Sequence, residues 1–384
     1  MTWGAERPYA MAQRRTGRPA LRGWLLAGLI VVGFTLAAIV LAVYYGATLG
    51  LVTTLLAILL AALPLGIVIP TFLWLDRFEA EPTRYLVVAF LWGALVAAIA
   101  AAIFNTGADV AFQAATGTAS EASLATAVFS APLVEEASKG LLVALVWWLR
   151  RREFDGIIDG MVYAGIVAAG FAFTENIQYL GLAYQQGGDQ ALTGTFIARG
   201  LFTPFAHPMF TVLTGIGIGI AATTRHRPLK VLAPLGGYLL AVMAHALWNL
   251  AAVTGAAGMV TVYVAVEVPV FAAFLTLVVW ARRREGRLIG RYLSPYADAG
   301  WLTPSEVHML STMAGRRSAR MWAKTTGGAS ALRSMRRFQD AASELALLRV
   351  RMHHSAADAR ALETEQELLE ALTARRREFV SSGR

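Results

Sequence analysis

The sequence contains no cysteine, and charged residues make up only 15% of its 384 positions. The lack of cysteine excludes disulfide bonds and every reaction that needs a thiolate. Soluble globular proteins carry roughly 25% charged residues. A chain with 57% hydrophobic residues and so few charges is therefore typical of a membrane protein. More than half of the Lys and Arg residues follow residue 280, which leaves the preceding part with very few charges.

Eight apolar stretches are long enough to cross a hydrocarbon core about 30 Å thick, which needs roughly 20 helical residues. We therefore predict an all-α, polytopic membrane protein with about eight transmembrane helices, near residues 24–45, 50–75, 85–105, 128–149, 157–182, 199–222, 231–253 and 259–280. The first stretch follows an arginine-rich start. Its apolar run is too long for a signal peptide and lacks a convincing cleavage site, so we interpret it as a retained span.

Basic residues alternate from one connection to the next. The N-terminus and the segments 150–152, 225–227 and 282–284 are basic, whereas the connections predicted at 46–49, 106–127, 183–198 and 254–258 contain no Lys or Arg. The connection at 76–84 is mixed in charge and decides little. By the positive-inside rule we expect both termini in the cytoplasm. This distribution also accounts for the net charge of +9 without nucleic acid as a partner. We predict a basic N-terminus, a transmembrane domain and a helical cytoplasmic tail at 1–23, 24–280 and 281–384.

The tail has helical signals of its own. Thr303, followed three residues later by Glu306, is typical of a capping box at a helix start. The stretches 331–352 and 356–380 are rich in Ala, Leu, Glu and Arg with helical spacing, and Gly327–Gly328 separates them from what precedes. The tail is predicted to be a small helical region that contacts lipid headgroups or a cytoplasmic partner.

Ionisable residues within the predicted spans share one depth. Such residues are costly in lipid and usually face the protein interior or a watery cavity. Counted from the outer ends of their spans at about 1.5 Å per residue, Glu135, Glu175, His207 and His245 lie roughly 10–12 Å below the outer surface. Glu267 falls at the same level. We predict one polar site that opens toward the outside.

Helical spacing adds further residues to this set. Glu135 and Lys139 are four apart and Glu136 is three from the same lysine, so both carboxylates can pair with one ammonium group. His245 and Asn249 share one helix face for the same reason.

His207 lies between two prolines, Pro204 and Pro208, which remove backbone donors and favour a kink. It also begins a stripe of residues four apart. The lower part of the stripe consists of small residues that allow another helix to pack closely. The stripe continues with Thr211, Gly215 and Gly219.

These groups fit hydrolysis of a peptide bond inside the membrane. Either Glu135 or Glu136 could act as general base for water while Lys139 holds the other as its ionised partner; we favour Glu135. The histidines could polarise a carbonyl or protonate the leaving amine, and Asn249 could donate to an oxyanion. The chain has no His-Glu-x-x-His, Gly-x-Ser-x-Gly or Gly-x-Gly-Asp motif, so the other designs of intramembrane protease have little support.

Two other classes of protein are alternatives. A proton-coupled transporter or channel also carries carboxylates and histidines within the membrane, but it is expected to show two matching halves and polar residues at several depths. A structural scaffold or sensor would leave the polar cluster without a role.

Four motifs occur in order: Glu135-Glu136-x-x-Lys139, Phe171-x-x-x-Glu175-Asn176, His207 followed by Thr211 and Gly215, and His245-x-x-x-Asn249. As an ordered set they resemble the PrsW family of intramembrane proteases, which is related to the bacterial Abi and type II CAAX-processing proteases. The resemblance covers about residues 50–255. It implies a glutamate-dependent protease of membrane-anchored substrates, in some members an anti-sigma factor cut on its extracytoplasmic side. The expected catalytic residues are Glu135, Glu136, Glu175, His207, His245 and Asn249, with Lys139 and Asn176 in support.

The CAAX-type enzymes carry Glu-Glu-x-x-x-Arg and Phe-x-x-x-His instead. This chain has Lys139 at a shorter spacing and Glu175 at the position of that histidine. Cleavage of prenylated proteins is therefore not expected here.

The sequence is compatible with a site that binds a metal and with one that does not. Glu175, His207 and His245 would make a two-histidine, one-glutamate zinc site with an open position, with Glu135 or Glu136 as the base for its water. Alternatively, a glutamate and a histidine activate water without a metal, which is the version we favour.

Overall fold

The structure, a computed structural model, describes residues 19–76, 78, 81–150, 154, 156–253, 255–353 and 360–381. Every regular element in this part is helical, which confirms the all-α prediction. The helices are α1 (Pro19–Leu49), α2 (Leu51–Ala62), α3 (Leu65–Leu75), α4 (Thr83–Leu91), α5 (Ala98–Thr116), α6 (Ala119–Ala125), α7 (Ala131–Leu149), α8 (Ile157–Phe196), α9 (Ala206–Thr223), α10 (Leu229–Val253), α11 (Gly255–Val262), α12 (Val268–Asp298), α13 (Pro304–Ser311), α14 (Met313–His353) and α15 (Ala361–Ser381). Four π-helical segments join some of them: Trp92–Ala97, Thr126–Ser130, Ile197–Phe202 and Tyr263–Glu267.

Six helical stretches in the described part are long and apolar enough to cross a membrane: Ala27–Leu49, Leu51–Leu75, Thr83–Thr116, Ile157–Thr223, Leu229–Val253 and Val260–Asp298. A polytopic membrane protein is thereby confirmed, while the number of eight spans stays a prediction. Two features account for the difference. α7 carries three charged residues in its middle, and the stretch Ile157–Thr223 contains both α8 and α9.

The connection predicted at 183–198 is wrong, because these residues are helical. α8 continues through them and bends at Gly188, whose φ of 62° lies in the left-handed region that favours glycine. The π-helical segment Ile197–Phe202 follows directly. The chain therefore turns back toward α8 as a bent helix.

The span predicted at 199–222 is not one continuous helix. A turn at 203–205 interrupts it, and α9 begins at Ala206. Pro204 lies in this turn, and Pro208 falls in the first turn of α9, where a missing backbone donor costs little. The break places His207 at the start of a helix instead of eight residues into one.

Glycines set the spacing of the helices around the site. α9 packs against both α8 and α10. A Cβ atom added to Gly215 would lie 2.1 Å from the carbonyl oxygen of Gly160 on α8, and one added to Gly217 would lie 2.2 Å from that of Ala233 on α10. Only glycine allows backbones to approach this closely. A Cβ atom added to Gly219 would likewise lie 2.5 Å from the backbone of α8. Gly215 and Gly219 therefore confirm the predicted small-residue stripe, to which Gly217 does not belong.

The tail folds on a second hydrophobic cluster. α12 runs from the last apolar stretch into the tail without a break at residue 280. This cluster contains buried residues of all four helices from α12 through α15. It also includes Phe78, which lies in the connection between α3 and α4. The capping box at Thr303 and Glu306 is confirmed, and so is the break at Gly328, where α14 bends with a φ of 68°.

Candidate functional site

α7 supplies a buried group of two carboxylates and one ammonium. The Nζ atom of Lys139 lies 2.6 Å from Oε1 of Glu136 and 3.7 Å from Oε2 of Glu135. Lys139 and Glu136 have no exposed surface. The one ammonium group lies close to both carboxylates in a buried position, as the spacing on one helix predicts.

Helices α9 and α10 bring two histidines onto this group. Nδ1 of His245 lies 3.1 Å from Oε1 of Glu136, and its Nε2 lies 3.8 Å from Oε2 of Glu135. Nδ1 of His207 lies 3.3 Å from Nζ of Lys139. The two imidazole rings meet edge to face, with centroids 5.1 Å apart. Residues from three helices thus form one polar cluster.

The two adjacent carboxylates have different surroundings. Glu136 has contacts on both oxygens, because Thr211 donates a hydrogen bond of 2.7 Å to Oε2 while Lys139 and His245 contact Oε1. Glu135 receives one long hydrogen bond, 3.4 Å from Nδ2 of Asn105 to Oε1. Its Oε2 is buried and accepts no hydrogen bond within the described part of the chain. Glu136 is therefore held in place, whereas Glu135 has an oxygen available for a ligand.

α8 closes the cluster from the other side. Oε2 of Glu175 lies 2.7 Å from Nε2 of His207 and also forms an ion pair with Arg199. Nε of Arg199 donates a 2.7 Å hydrogen bond to Oδ1 of Asn176. The side chains of Glu175 and Arg199 are 19% and 20% exposed, more than those of the buried groups behind them. The accessible side of the cluster is therefore the side of Arg199.

Two predicted site residues lie at the edge of the cluster. Asn249 donates through Nδ2 to the carbonyl oxygen of Ala127, 2.8 Å away, so its amide ties α10 to the segment before α7. Asn176 bonds Arg199. Glu267 ends the segment Tyr263–Glu267, and its side chain lies outside the described residues.

Two members of the site, Asn105 and Arg199, were not predicted from the sequence. Asn105 on α5 bridges Glu135 and Ser130, donating to the first and accepting from the hydroxyl of the second at 3.0 Å. Arg199 is the only Lys or Arg between residues 153 and 224, which is a signal that the sequence offered. Arg199 was not included in the predicted site because it was the first residue of the predicted span 199–222, where an arginine is common.

The residues present fit a metal site. Glu135, His207 and His245 each offer one ligand atom, and these atoms lie within 4.8 Å of one another. The buried Oε2 of Glu135 without a hydrogen-bond donor is the kind of atom that a cation would satisfy. A histidine that binds a metal through one ring nitrogen usually donates from the other to a carboxylate, which orients the ring. The contact between Nδ1 of His245 and Glu136 is of this kind. Glu175, predicted as the third ligand, is not part of this trio and contacts His207 from the side of Arg199 instead.

The family assignment follows from comparison with known proteins. A family model described as PrsW family intramembrane metalloprotease matches residues 81–274, just over half of the chain. The chain belongs to the PrsW family. The match begins later and ends later than the stretch 50–255 on which the motifs were recognised, and it contains every residue of the polar cluster.

Two curated relatives of the PrsW family share part of the chain. The protein named Protease PrsW from Geobacillus kaustophilus is 33% identical over 157 residues, which are 41% of this chain and 63% of that protein. Its namesake from Oceanobacillus iheyensis is 31% identical over 126 residues, 32% of this chain and 52% of that protein. The chain thus spans less than two thirds of either relative. No solved structure matches it.

Proposed function

We propose that this PrsW family member is an intramembrane peptidase that hydrolyses a peptide bond of a membrane-anchored protein. The observation that carries the proposal is the buried Oε2 of Glu135, which accepts no hydrogen bond from the described residues and lies within 4 Å of both Lys139 and His245. A carboxylate with an available oxygen can take a proton from water, and a neighbouring histidine and ammonium stabilise the charges that develop. No observation on the described residues favours a transporter or a scaffold.

The roles of the residues follow from their contacts. Glu135 takes a proton from a water molecule as the water oxygen attacks the carbonyl carbon of the substrate. The same carboxyl group then returns that proton to the leaving nitrogen as the carbon–nitrogen bond breaks. Glu136 holds Lys139 and fixes His245 through Nδ1, so Nε2 of this ring faces Glu135.

In the alternative with a bound metal, Glu135, His207 and His245 would hold it, and Glu135 would then be a ligand instead of the base. When bound, zinc supplies Lewis acidity to an oxygen at the reaction centre. Nδ1 of His245 faces Glu136, which leaves Nε2 of this ring for a metal. Quantifying zinc in the purified protein and in a His245→Ala variant tests this assignment, and we expect the variant to lose any bound zinc.

We further propose that the site faces the extracytoplasmic side and that both termini are cytoplasmic. The basic Arg225 donates to the carbonyl oxygen of His353, so the tail and the connection between α9 and α10 lie at one end of the molecule. The cysteine-free background allows a direct test with single-cysteine variants. A maleimide that does not cross membranes is expected to label Gln186→Cys in intact cells, and His226→Cys only after permeabilisation. The reverse pattern would place the site on the cytoplasmic side.

The activity is tested with a tagged single-span substrate reconstituted with the purified protein. An anti-sigma factor with one membrane span belongs to the substrate class that the proposal names. We expect cleavage at the level of the polar cluster, and loss of cleavage in Glu135→Ala and His207→Ala proteins that still insert and fold. Cleavage at the wild-type rate by both variants would overturn the proposal.

A further inference from the structure

The guanidinium of Arg199 is held both at its edge and on its face. It lies on the π-helical segment Ile197–Phe202 and reaches across to α8. One edge of its guanidinium contacts Glu175 through Nη2 and the adjacent Asn176 through Nε. Its plane lies over the ring of Tyr179, 3.9 Å from the centroid. A planar, forked group held at its edge and on its face has one orientation.

The contacts continue from Arg199 to the centre of the cluster. Glu175 uses the same oxygen, Oε2, for Arg199 and for Nε2 of His207. A carboxylate oxygen that accepts from a guanidinium is an acceptor toward the imidazole as well, so Nε2 of His207 carries the proton. Nδ1 of that ring then carries the lone pair, 3.3 Å from the ammonium of Lys139, and it is the atom with which His207 would hold a metal.

We propose that Arg199 is a positioning residue, which holds the Glu175 carboxylate and thereby fixes the tautomer and the orientation of His207. The proposal rests on the proposed function for its effect on cleavage, but the contacts themselves do not depend on it. Without the guanidinium, the Glu175 carboxylate is free to change rotamer, and His207 loses the acceptor that selects its tautomer. Arg199 acts through Glu175 and not on the substrate.

A purely structural tie between two helices makes a different prediction. Gln185 on α8 is an example of such a tie. It donates to the carbonyl oxygen of Thr48 at 3.0 Å and links α8 to α1 without reaching the polar cluster. If Arg199 were only such a tie, its loss would lower the stability of the protein and leave the tautomer of His207 unchanged. The electronic state of the His207 ring therefore separates the two roles.

The test is nuclear magnetic resonance of the purified protein with ¹⁵N-labelled histidine rings. The chain has six histidines, and the signal missing from a His207→Gln sample identifies His207. We expect a neutral ring protonated on Nε2 in the wild-type protein, and a mixture of tautomers in Arg199→Gln. The matched control is Arg84→Gln, which removes another arginine stacked on an aromatic ring, 4.8 Å from the centroid of Tyr85, and is expected to leave the His207 signal unchanged.

Cleavage provides the second readout. We expect Arg199→Gln to cleave about 10–100-fold more slowly, as when the partner that orients a functional histidine is removed. A Glu175→Gln, Arg199→Gln double variant is expected to be no slower than Glu175→Gln alone, because both changes break the same connection. If Arg199→Gln does not fold, Arg199→Lys keeps the charge but not the fork, and it is expected to show the same mixture of tautomers.

The outcomes separate the two proposals. An unchanged His207 signal in a folded Arg199 variant overturns the positioning role, whatever the cleavage rate. A wild-type protein that cleaves no substrate overturns the proposed function, while the spectra still decide the role of Arg199.

Discussion

At the scale of single residues, two neighbouring glutamates differ more than their sequence suggests. Glu136 has partners on both oxygens and no exposed surface, whereas Glu135 keeps one oxygen without a hydrogen bond from the described residues. A carboxylate surrounded by donors is a stable anchor but a poor proton acceptor. This contrast supports the division of labour in which Glu135 acts on water and Glu136 holds Lys139 and His245.

A second buried carboxylate, Asp76, lies in the connection after α3. Burial raises its pKa to about 8, the carboxylates of Glu81 and Glu285 add to the rise, and a hydrogen bond from the backbone nitrogen of Glu81 opposes it. An unfolded aspartate has a pKa of about 3.9. Between roughly pH 4 and pH 8 the unfolded chain therefore releases a proton that the folded chain retains, and stability falls as the pH rises through this window.

We predict that Asp76→Asn removes this pH dependence. Near pH 4 the variant and the wild-type protein should unfold at similar temperatures, since folded Asp76 is protonated and the unfolded aspartate has lost its proton only in part. At pH 8 and above the variant should be more stable by a few kcal/mol, because each pKa unit corresponds to about 1.4 kcal/mol. Thermal unfolding in detergent from pH 4 to pH 9 measures the effect, and parallel curves for the two proteins would contradict it.

At the scale of elements, the π-helical segments provide backbone acceptors for side chains from other helices. Within Trp92–Ala97, the carbonyl oxygen of Ala94 accepts from Thr174 at 2.6 Å. Within Thr126–Ser130, that of Ala127 accepts from Asn249 at 2.8 Å. A π-helical turn leaves carbonyl groups outside the regular α-helical pattern, and such turns are frequent at functional sites. Both contacts connect helices that carry residues of the polar cluster.

The packing of α9 against α10 predicts opposite effects of alanine at two adjacent glycines of α10. A Cβ atom at Gly237 would lie 2.3 Å from the carbonyl oxygen of Leu213, whereas one at Gly236 would have no heavy atom within 4 Å. We expect Gly237→Ala to lower the free energy of unfolding by about 1–3 kcal/mol or more through overpacking. Gly236→Ala should raise it by about 0.5–1 kcal/mol through helix propensity. Thermal unfolding of both proteins measures the difference, and equal effects of the two substitutions would refute the packing of α9 against α10.

At the scale of the whole molecule, Arg316 joins the tail to the membrane part. It is buried, and it donates to the carbonyl oxygens of Leu310 at 2.8 Å and of Phe78 at 3.0 Å, and to the hydroxyl of Ser343. Its guanidinium also lies 4.9 Å from the centroid of the Phe78 ring. One side chain therefore connects two tail helices to the segment between α3 and α4.

We predict that Arg316→Met loosens the tail without removing the protein from the membrane. The substitution leaves buried carbonyl groups without a donor, at a cost of about 1–3 kcal/mol for each. Limited proteolysis should cut the tail of the variant several-fold faster than that of the wild-type protein. Arg333→Met, on the exposed face of α14, is the control and should behave like the wild type. Identical cleavage of all three proteins would show that Arg316 does not hold the tail.

Local patterns predicted much of this molecule. The capping box at Thr303, the break at Gly328 and the meeting of Glu135 with Lys139 are each set by residues within a few positions of one another. The shared depth of polar residues also placed both histidines beside the carboxylates of α7. These features depend on the helical period and on span length, which a sequence displays directly.

Features that depend on pairing between distant helices could not be predicted in the same way. Arg199 and Glu175 are 24 positions apart and meet only because α8 bends at Gly188 and the chain turns back. The predicted trio of metal ligands included Glu175, whose carboxylate contacts Arg199 and His207 together. The three ligand atoms that lie within 4.8 Å of one another belong instead to Glu135 and the two histidines. No periodicity in the sequence indicates the bend at Gly188 or the contact between Arg199 and Glu175 that results from it.

The most direct measurement of the central claim compares Glu135→Gln with Glu136→Gln in cleavage and in thermal unfolding. Glu135→Gln should cleave about 10²–10⁴-fold more slowly than the wild-type protein, as expected for the loss of a general base, and should unfold at nearly the same temperature. Glu136→Gln should lose about 3–5 kcal/mol of stability, because it breaks a buried ion pair and leaves Lys139 without its nearest partner. A Glu135→Gln protein that cleaves at the wild-type rate would contradict the account.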